Sequence, residues 1–458
     1  MSAEKKLAIK GVAWTIASYG SSQIIRFASN LILTRLLLPE QFGLVGLAYV
    51  FIIGINLFTD IGLGPSIIQN KRGEDPQFLN TAWTLQVMRS FFVWICLIII
   101  TKPVASFYGD DRLLWLIPVI GINSLVGGFK STATASLERK MAVKKVVIFE
   151  LVIQIASTTV MIVWAWFDRS IWAIVAGGFT GSLIEVVWSH FLIPGKSNRF
   201  GWDKEAAKEI FSYGKWIFLS TAVFFLCSQA DRLILGKIFT LTMLGIYGIA
   251  FTLGDMPRQV IIAIGGRVIF PSISMLAELP REELRAKILN NRKLILIPLA
   301  IGLAIFVSFG DQLILALYRK EYEAASWMMP ILALGIWHTT LYSVMGACLL
   351  AVGKSQYQAM GNLLTFVNLC ITIPLAYHLK GNLGAVIAIA LGDLPTYAVI
   401  NYGLWREKLT CFWEDIQLTG LFVGVLATLI WCRATFGLEL PIDKISPMDL
   451  IPINKLFP

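Results

Sequence analysis

Three carboxylates stand inside apolar stretches, each beside residues that loosen a helix. Asp60 lies in "LFTDIGLGPSIIQ" (57–69), with Gly62, Gly64 and Pro65 behind it. Asp255 is separated from Arg258 by Pro257, and Asp393 is followed by Pro395. Positions i and i+3 share a helical face, so Asp255 and Arg258 point the same way. Proline and glycine free backbone groups at membrane depth, which is tolerated only where protein or a cavity receives them. An acid at such a soft point suits a site that takes up and releases a proton or Na⁺; the alternative is a structural cap or ion pair at a kink. Glu185 and Asp231 are the other acids in apolar segments.

Basic residues in the same kind of segment are Arg26, Arg89, Lys130, Lys215, Arg232, Arg258 and Arg267. Each costs roughly 2.5–3.5 kcal/mol at the middle of a membrane helix, so none is expected to face lipid at random. Lys215, Arg232 and Arg267 lie near enough to a helix end to snorkel, and Arg232 has Asp231 beside it as a partner. Arg26 is about 16 residues, or about 24 Å, into its helix. With Arg89 and Arg258 it is too deep for snorkelling, which points to a polar interior cavity. A cavity with excess fixed positive charge attracts an anion, and the guanidinium fork fits phosphate oxygens. A few carboxylates in it provide for a coupling cation.

The elements that position these residues are membrane helices. The 458 residues are 56% hydrophobic and 15% charged, with a mean hydropathy of +0.70. A soluble chain would carry about 25% charged residues. Apolar runs of span length are expected at 11–37, 42–69, 79–101, 113–137, 145–167, 170–193, 209–236, 242–271, 292–317, 327–352, 356–379 and 382–404, with a further one at 415–434. They do not alternate, which excludes a β-barrel. The basic start "MSAEKKLAIK" leads into an apolar stretch too long for a cleaved signal, so the first segment is expected to remain.

With the N-terminus in the cytoplasm, inner connections hold more than twice as many Lys and Arg as outer ones, which fixes the expected orientation. The formal charge of +10 is read this way and not as a nucleic-acid footprint. The inner stretch "AELPREELRAKILNNRK" (277–293) reads as a short amphipathic helix on the membrane surface. The six cysteines form no C-x-x-C pair, and the three histidines are scattered, so no metal site or cofactor is expected.

"ASYGSSQ" (17–23) recurs as "FSYGKWI" (211–217), and "LTRLLLPEQFGLVGLA" (33–48) as "ADRLILGKIFTLTMLGIYGIA" (230–250). The expected organisation is therefore an all-α polytopic membrane protein of two six-helix lobes, 1–193 and 209–405. A cytoplasmic linker at 194–208 joins them, and an extra helix and tail occupy 406–458. Two copies with an even number of spans point the same way, a parallel repeat with a binding site between the halves.

The stretch 57–69, "LERKMAVKKVVIFE" (137–150) and "QADRLILGKIFTLTMLGIYGIAF" (229–251) resemble bacterial polysaccharide flippases of the multidrug/oligosaccharidyl-lipid/polysaccharide exporter superfamily. The likeness is to the lipopolysaccharide, O-antigen or colanic-acid exporter type and covers helices 1–12. It implies a transporter, not an enzyme, that flips an isoprenoid-pyrophosphate-linked oligosaccharide to the outer leaflet of the cytoplasmic membrane, with H⁺ or Na⁺ antiport. It implies Arg26, Arg89, Lys130, Lys215 and Arg258 as pyrophosphate and cavity residues, with Asp60, Asp255 and Asp393 as cavity acids. Asp60 would pair with a cavity arginine or hold the coupling ion. The lipid-linked oligosaccharide and membrane lipids are the expected partners, polysaccharide polymerase machinery is a candidate one, and a monomer is expected. Rival readings are a multidrug exporter, whose cationic substrates call for an acidic cavity, and a peptidoglycan-lipid flippase, which would carry two extra helices. A membrane-embedded polymerase or ligase would need a substantial outer loop, and none is present.

Overall fold

A computed structural model of the chain describes the backbone of residues 3–194, 198–264, 273, 279–445 and 447–450. The side chains of 3–19, 213–220, 223, 263–264, 290–291, 442, 444 and 447–448 lie outside that description, and with them the Lys215 side chain; the whole of Arg267 does too. No strand occurs among the described residues. Eight of the described helices are long and apolar enough to cross a membrane.

The chain divides into two compact units, Met1–Phe225 and Leu226–Pro458. The first contains α1 (Ala3–Leu36), α2 (Pro39–Phe58), α3 (Leu63–Gln69), α4 (Pro76–Tyr108), α5 (Leu113–Gly127), α6 (Ala133–Arg139), α7 (Val143–Phe167) and α8 (Trp172–Ser189). The division falls inside α9 (Lys204–Ile238). The second unit continues with α10 (Leu241–Gly254), α11 (Met256–Ile264), α12 (Arg281–Leu317), α13 (Ala325–Ala351), α14 (Gln356–Ala390), α15 (Leu394–Arg406) and α16 (Phe412–Thr435).

Every expected span is helical where described, but some are not continuous. The second is interrupted at 59–62, the fourth at 128–132, the eighth at Asp255 and the twelfth at 391–393. The start of α4 shows the local logic: Asp75 accepts from the Gln77 amide at 3.0 Å, and Pro76 occupies the first helical position. Along α14, Val367, Ile371, Leu375 and Leu379 are exposed at a spacing of four, the stripe a spanning helix turns to lipid.

The surface helix expected at 277–293 is not separate. From Arg281 the chain runs unbroken into α12, and Leu284, Ile288 and Leu296 are buried in the second unit's core. The four-residue spacing of these apolar positions carries one buried face through the polar stretch. Arg292, read from sequence as a residue of an inner connection, is 2% exposed and pairs with Asp415 of α16.

A second buried pair joins the same helices. Arg433 of α16 meets Asp311 of α12 two-pronged, at 2.6 and 2.5 Å, with neither side chain exposed. The two pairs are separated by about 18–19 residues on each helix, or about 28 Å, close to the roughly 30 Å of bilayer hydrocarbon. Between them Trp337 of α13 stacks on Phe422 of α16, with centroids 4.6 Å apart, and donates to Thr419 at 3.0 Å. The helix beyond the twelfth span is thus built into its unit. The tail after it returns to α14, where the Asn382 amide donates to Asp449 at 3.1 Å.

In the first unit the connection after α8 is sewn to α4. The amides of Arg199, Gly201 and Asp203 donate to Asn80 at 3.0 Å, Thr84 at 3.1 Å and Thr81 at 2.9 Å. Arg72 pairs with Asp203 at 2.5 Å and with Asp75 at 3.0 Å. The hydrogen bond from Arg72 holds the Asp203 carboxyl below its usual range.

Removing one partner of a buried ion pair strands the other charge, so Arg433→Leu or Asp311→Leu should each cost about 3–5 kcal/mol, and the double substitution should recover most of it. Thermal unfolding of purified protein in detergent reads this; single variants as stable as the parent would refute it. Because the Asp203 pKa is depressed on folding, its contribution is complete above the ordinary carboxylate range and lost as pH falls through the folded value. Asp203→Asn should therefore melt below the parent at pH 7 and together with it in strong acid.

Candidate functional site

In the first unit the site begins with two helix ends. Where α2 stops at Phe58, the Asn56 and Thr59 carbonyls have no next turn to receive them. Arg89 of α4 supplies the donors: Nε to the Thr59 carbonyl at 2.8 Å and Nη2 to the Asn56 carbonyl at 2.6 Å. A cation there also opposes the negative end of the helix dipole. Among the described residues Asp60 bridges to no arginine; its carboxylate accepts from the Gly62 amide at 2.9 Å. Gly62 has φ +65°, the left-handed turn that lets α3 restart. Arg89 and Asp60 still act on one another electrostatically.

The fourth span breaks in the same manner. Gln86 donates to the Gly128 and Lys130 carbonyls at 2.9 and 2.8 Å, and Trp83 to the Phe129 carbonyl at 3.3 Å. Trp83, Gln86 and Arg89 follow one another at intervals of three along α4, so one stripe of a single helix serves both breaks. Gly128 lets the two helices approach: a Cβ there would sit 2.0 Å from the Ser90 hydroxyl. Lys130 turns to Glu185 of α8 at 2.7 Å. Below the breaks, Arg139 of α6 donates to the Ile67 and Ile68 carbonyls at 2.8 and 2.9 Å and holds α3 against α6. Asp60 and Lys130 each lie nine residues, or about 14 Å, from the helix ends at Gln69 and Arg139, close to half the hydrocarbon thickness.

The second unit gathers charge differently. Arg258 lies 2.9 Å from Asp255 and 3.0 Å from Asp393, an arginine between two carboxylates at two helix breaks. Thr339 donates to Asp393 at 3.0 Å, and the Tyr342 hydroxyl is 3.5 Å away. His338 is within electrostatic reach, and its Nε2 is buried without a hydrogen-bond partner among the described residues. Two carboxyl groups thus face one guanidinium.

Of the residues expected to act together, Arg258, Asp255 and Asp393 are joined directly. Arg89 and Lys130 serve adjacent breaks but have different partners. Arg26 is exposed on α1 with no ion pair among the described residues. The expected Asp231–Arg232 pair gives way to another arrangement: Asp231 takes the Tyr247 hydroxyl, and Arg232 lies 5.7 Å over the Phe251 ring. Adjacent residues on a helix diverge, so the neighbour in sequence was out of reach. Gln86, Thr339, Tyr342 and His338 were missed. Of these, Gln86 alone had a signal, three residues before Arg89 in an apolar helix. No group of three or more potential metal ligands occurs among the described residues.

Comparison with known proteins bears on what this arrangement serves. The model of a family described as "Polysaccharide biosynthesis protein" matches residues 32–327. The chain is 26% identical to the teichuronic acid biosynthesis protein TuaB of Bacillus subtilis, over 96% of this chain and 91% of that one. It is 21% identical to the succinoglycan biosynthesis transport protein ExoT of Rhizobium meliloti, over 92% and 83%. Its fold is similar to that of an inward-facing multidrug resistance MATE family transporter of the MOP superfamily, with TM-score 0.68, 12% identity, and 84% of this chain and 94% of that one covered. It is also similar to the lipid II flippase MurJ in an inward closed conformation, with TM-score 0.63, 12% identity, and 94% and 95% covered. The fold is that of these transporters, and the chain is a multi-pass membrane protein that belongs to the polysaccharide biosynthesis protein family.

Proposed function

We propose that this protein flips an isoprenoid-pyrophosphate-linked oligosaccharide from the inner to the outer leaflet of the bacterial cytoplasmic membrane by alternating access. The observation that carries the reading is the set of spans broken at charged residues in a chain whose family makes polysaccharides and whose fold is that of lipid and drug transporters. Discontinuous helices at mid-depth are where transporters of this kind bind and couple. The relative named as a transport protein supports export, as opposed to synthesis.

The chemistry divides between the units. Arg89 keeps its charge while it spans two carbonyls, and Arg26 has no described counter-ion; these two, with Lys130 and Lys215, are the proposed pyrophosphate ligands. Arg258, held between two acids, suits a coupling role better than the anion-binding one first assigned to it. Asp255 and Asp393 are the proposed carriers of H⁺ or Na⁺: protonating or metallating one of them frees Arg258 from half its restraint. Asp60 is proposed to set the bend of the second span. Helices 1–6 and 7–12 are the proposed lobes, the N-terminus lies in the cytoplasm, polymerase machinery is a proposed partner, and the working unit is a monomer.

In liposomes with a fluorescent isoprenoid-pyrophosphate oligosaccharide, leaflet crossing should depend on the protein and respond to a pH or Na⁺ gradient. Efflux of a cationic dye without lipid crossing would replace this reading with drug export. Arg26→Ala and Arg89→Ala should each lower crossing tenfold or more while membrane levels stay normal; normal crossing in both removes the pyrophosphate role. Asp393→Asn should leave downhill crossing but abolish its response to the gradient.

A further inference from the structure

At the Lys/Arg-rich end of the first unit lies a cavity of about 300 Å³, formed where α4 begins, the fourth span breaks and the connection after α8 passes. Its wall is a fixed polar frame. Asn198 accepts from the Ser131 hydroxyl at 2.7 Å and the Thr132 amide at 3.1 Å, and donates to the Thr132 hydroxyl at 2.8 Å. Ser131 in turn is held through its amide by Ser189 at 2.8 Å. The frame is therefore spent on itself and rigid.

Two other groups on the cavity, on Ser136 and Asn80, are not spent. Ser136 is 1% exposed, lines the space, and its hydroxyl has no hydrogen-bond partner among the described residues. A serine on a helix ordinarily turns its hydroxyl to the carbonyl four residues back; this one does not. Asn80 receives the Arg199 amide on its oxygen, and its NH₂ has no described partner. The Arg199 side chain brings positive charge and Glu74, paired with Lys140 at 3.0 Å, a carboxylate, while Leu79, Pro76 and Ala133 add an apolar patch.

We infer that this cavity is a saccharide subsite, which takes one neutral sugar ring of the lipid-linked glycan on the cytoplasmic side. Donors and acceptors stand beside an apolar patch, which suits a ring with hydroxyls on its rim and C–H groups on its face. A carboxylate in the wall disfavours phosphate, and an arginine disfavours a bare cation. The volume is at the lower end of small-molecule sites, which limits the occupant to a unit of about that size. Ser131 directly follows Lys130, so the subsite adjoins a proposed pyrophosphate residue of the same unit. The inference rests on the flippase reading and adds where sugar identity is read.

The test uses the full chain in nanodiscs and measures binding of an isoprenyl pyrophosphate, either bare or carrying one neutral hexose or N-acetylhexosamine. The parent should prefer at least one glycosylated lipid, and Ser136→Ala and Asn80→Asp should each reduce that preference by about fivefold, the worth of a hydrogen bond to the ligand. Asn80→Asp keeps the oxygen that holds the Arg199 amide, and the bare lipid, which has no sugar to lose, reports folding. Variants that keep the preference, or a parent with none, would show a water-filled cavity only and overturn the subsite. A parent that binds neither lipid overturns the flippase reading itself.

Discussion

A carbonyl freed inside hydrocarbon has no water to turn to, and that constraint organises the first unit. Breaking the second and fourth spans frees carbonyls at 56, 59 and 128–130, and each is met by a donor from α4. Leaving one of these groups unmet costs several kcal/mol, so the breaks depend on the side chains that α4 carries at these heights, with His190 a second neighbour of the Phe129 carbonyl at 3.0 Å. α4 is therefore the ruler against which both bends are set. Its Arg89 does two things at once: it closes a helix and places a charge at mid-depth. A neutral donor would do the first alone, as Gln86 does.

The second unit meets the same constraint with ion pairs. Arg258 answers two carboxylates at two helix breaks, while Arg292 and Arg433 each answer a carboxylate on the neighbouring helix. These pairs differ in exposure. The Arg292 and Arg433 pairs are sealed, which suits permanent structure. Arg258 is partly exposed, 31% by side chain.

Much of this was legible beforehand, for identifiable reasons. Span positions follow from hydropathy, which is local. The break at Asp60 was visible because Gly62, Gly64 and Pro65 are its neighbours, and the Asp255–Arg258 pair because three residues separate its members. The break at Lys130 was marked by its charge and by Gly127 and Gly128 just before it, while the groups that heal it lie on another helix. The sealed pairs were illegible: Arg292 stands beside Lys293 and two asparagines and reads as a loop charge, and its partner lies 123 residues on. The error at 277–293 has the same origin, because a polar stretch that continues a buried face looks like an amphipathic surface helix until its neighbour is known.

That separation has a consequence for how the protein is made. α12 leaves the ribosome with Asp311 and Arg292 exposed to the bilayer, and their partners follow 122 and 123 residues later. At about 5–20 residues per second, the wait is roughly 6–25 s. During that interval the ninth span holds two unmet charges and is a poor lipid-facing helix. Either the insertion machinery shelters it or it stays at the interface until α16 arrives. The last described spanning helix thus completes the burial of these charges, and a chain that stops short of residue 433 leaves Asp311 without the partner it has here.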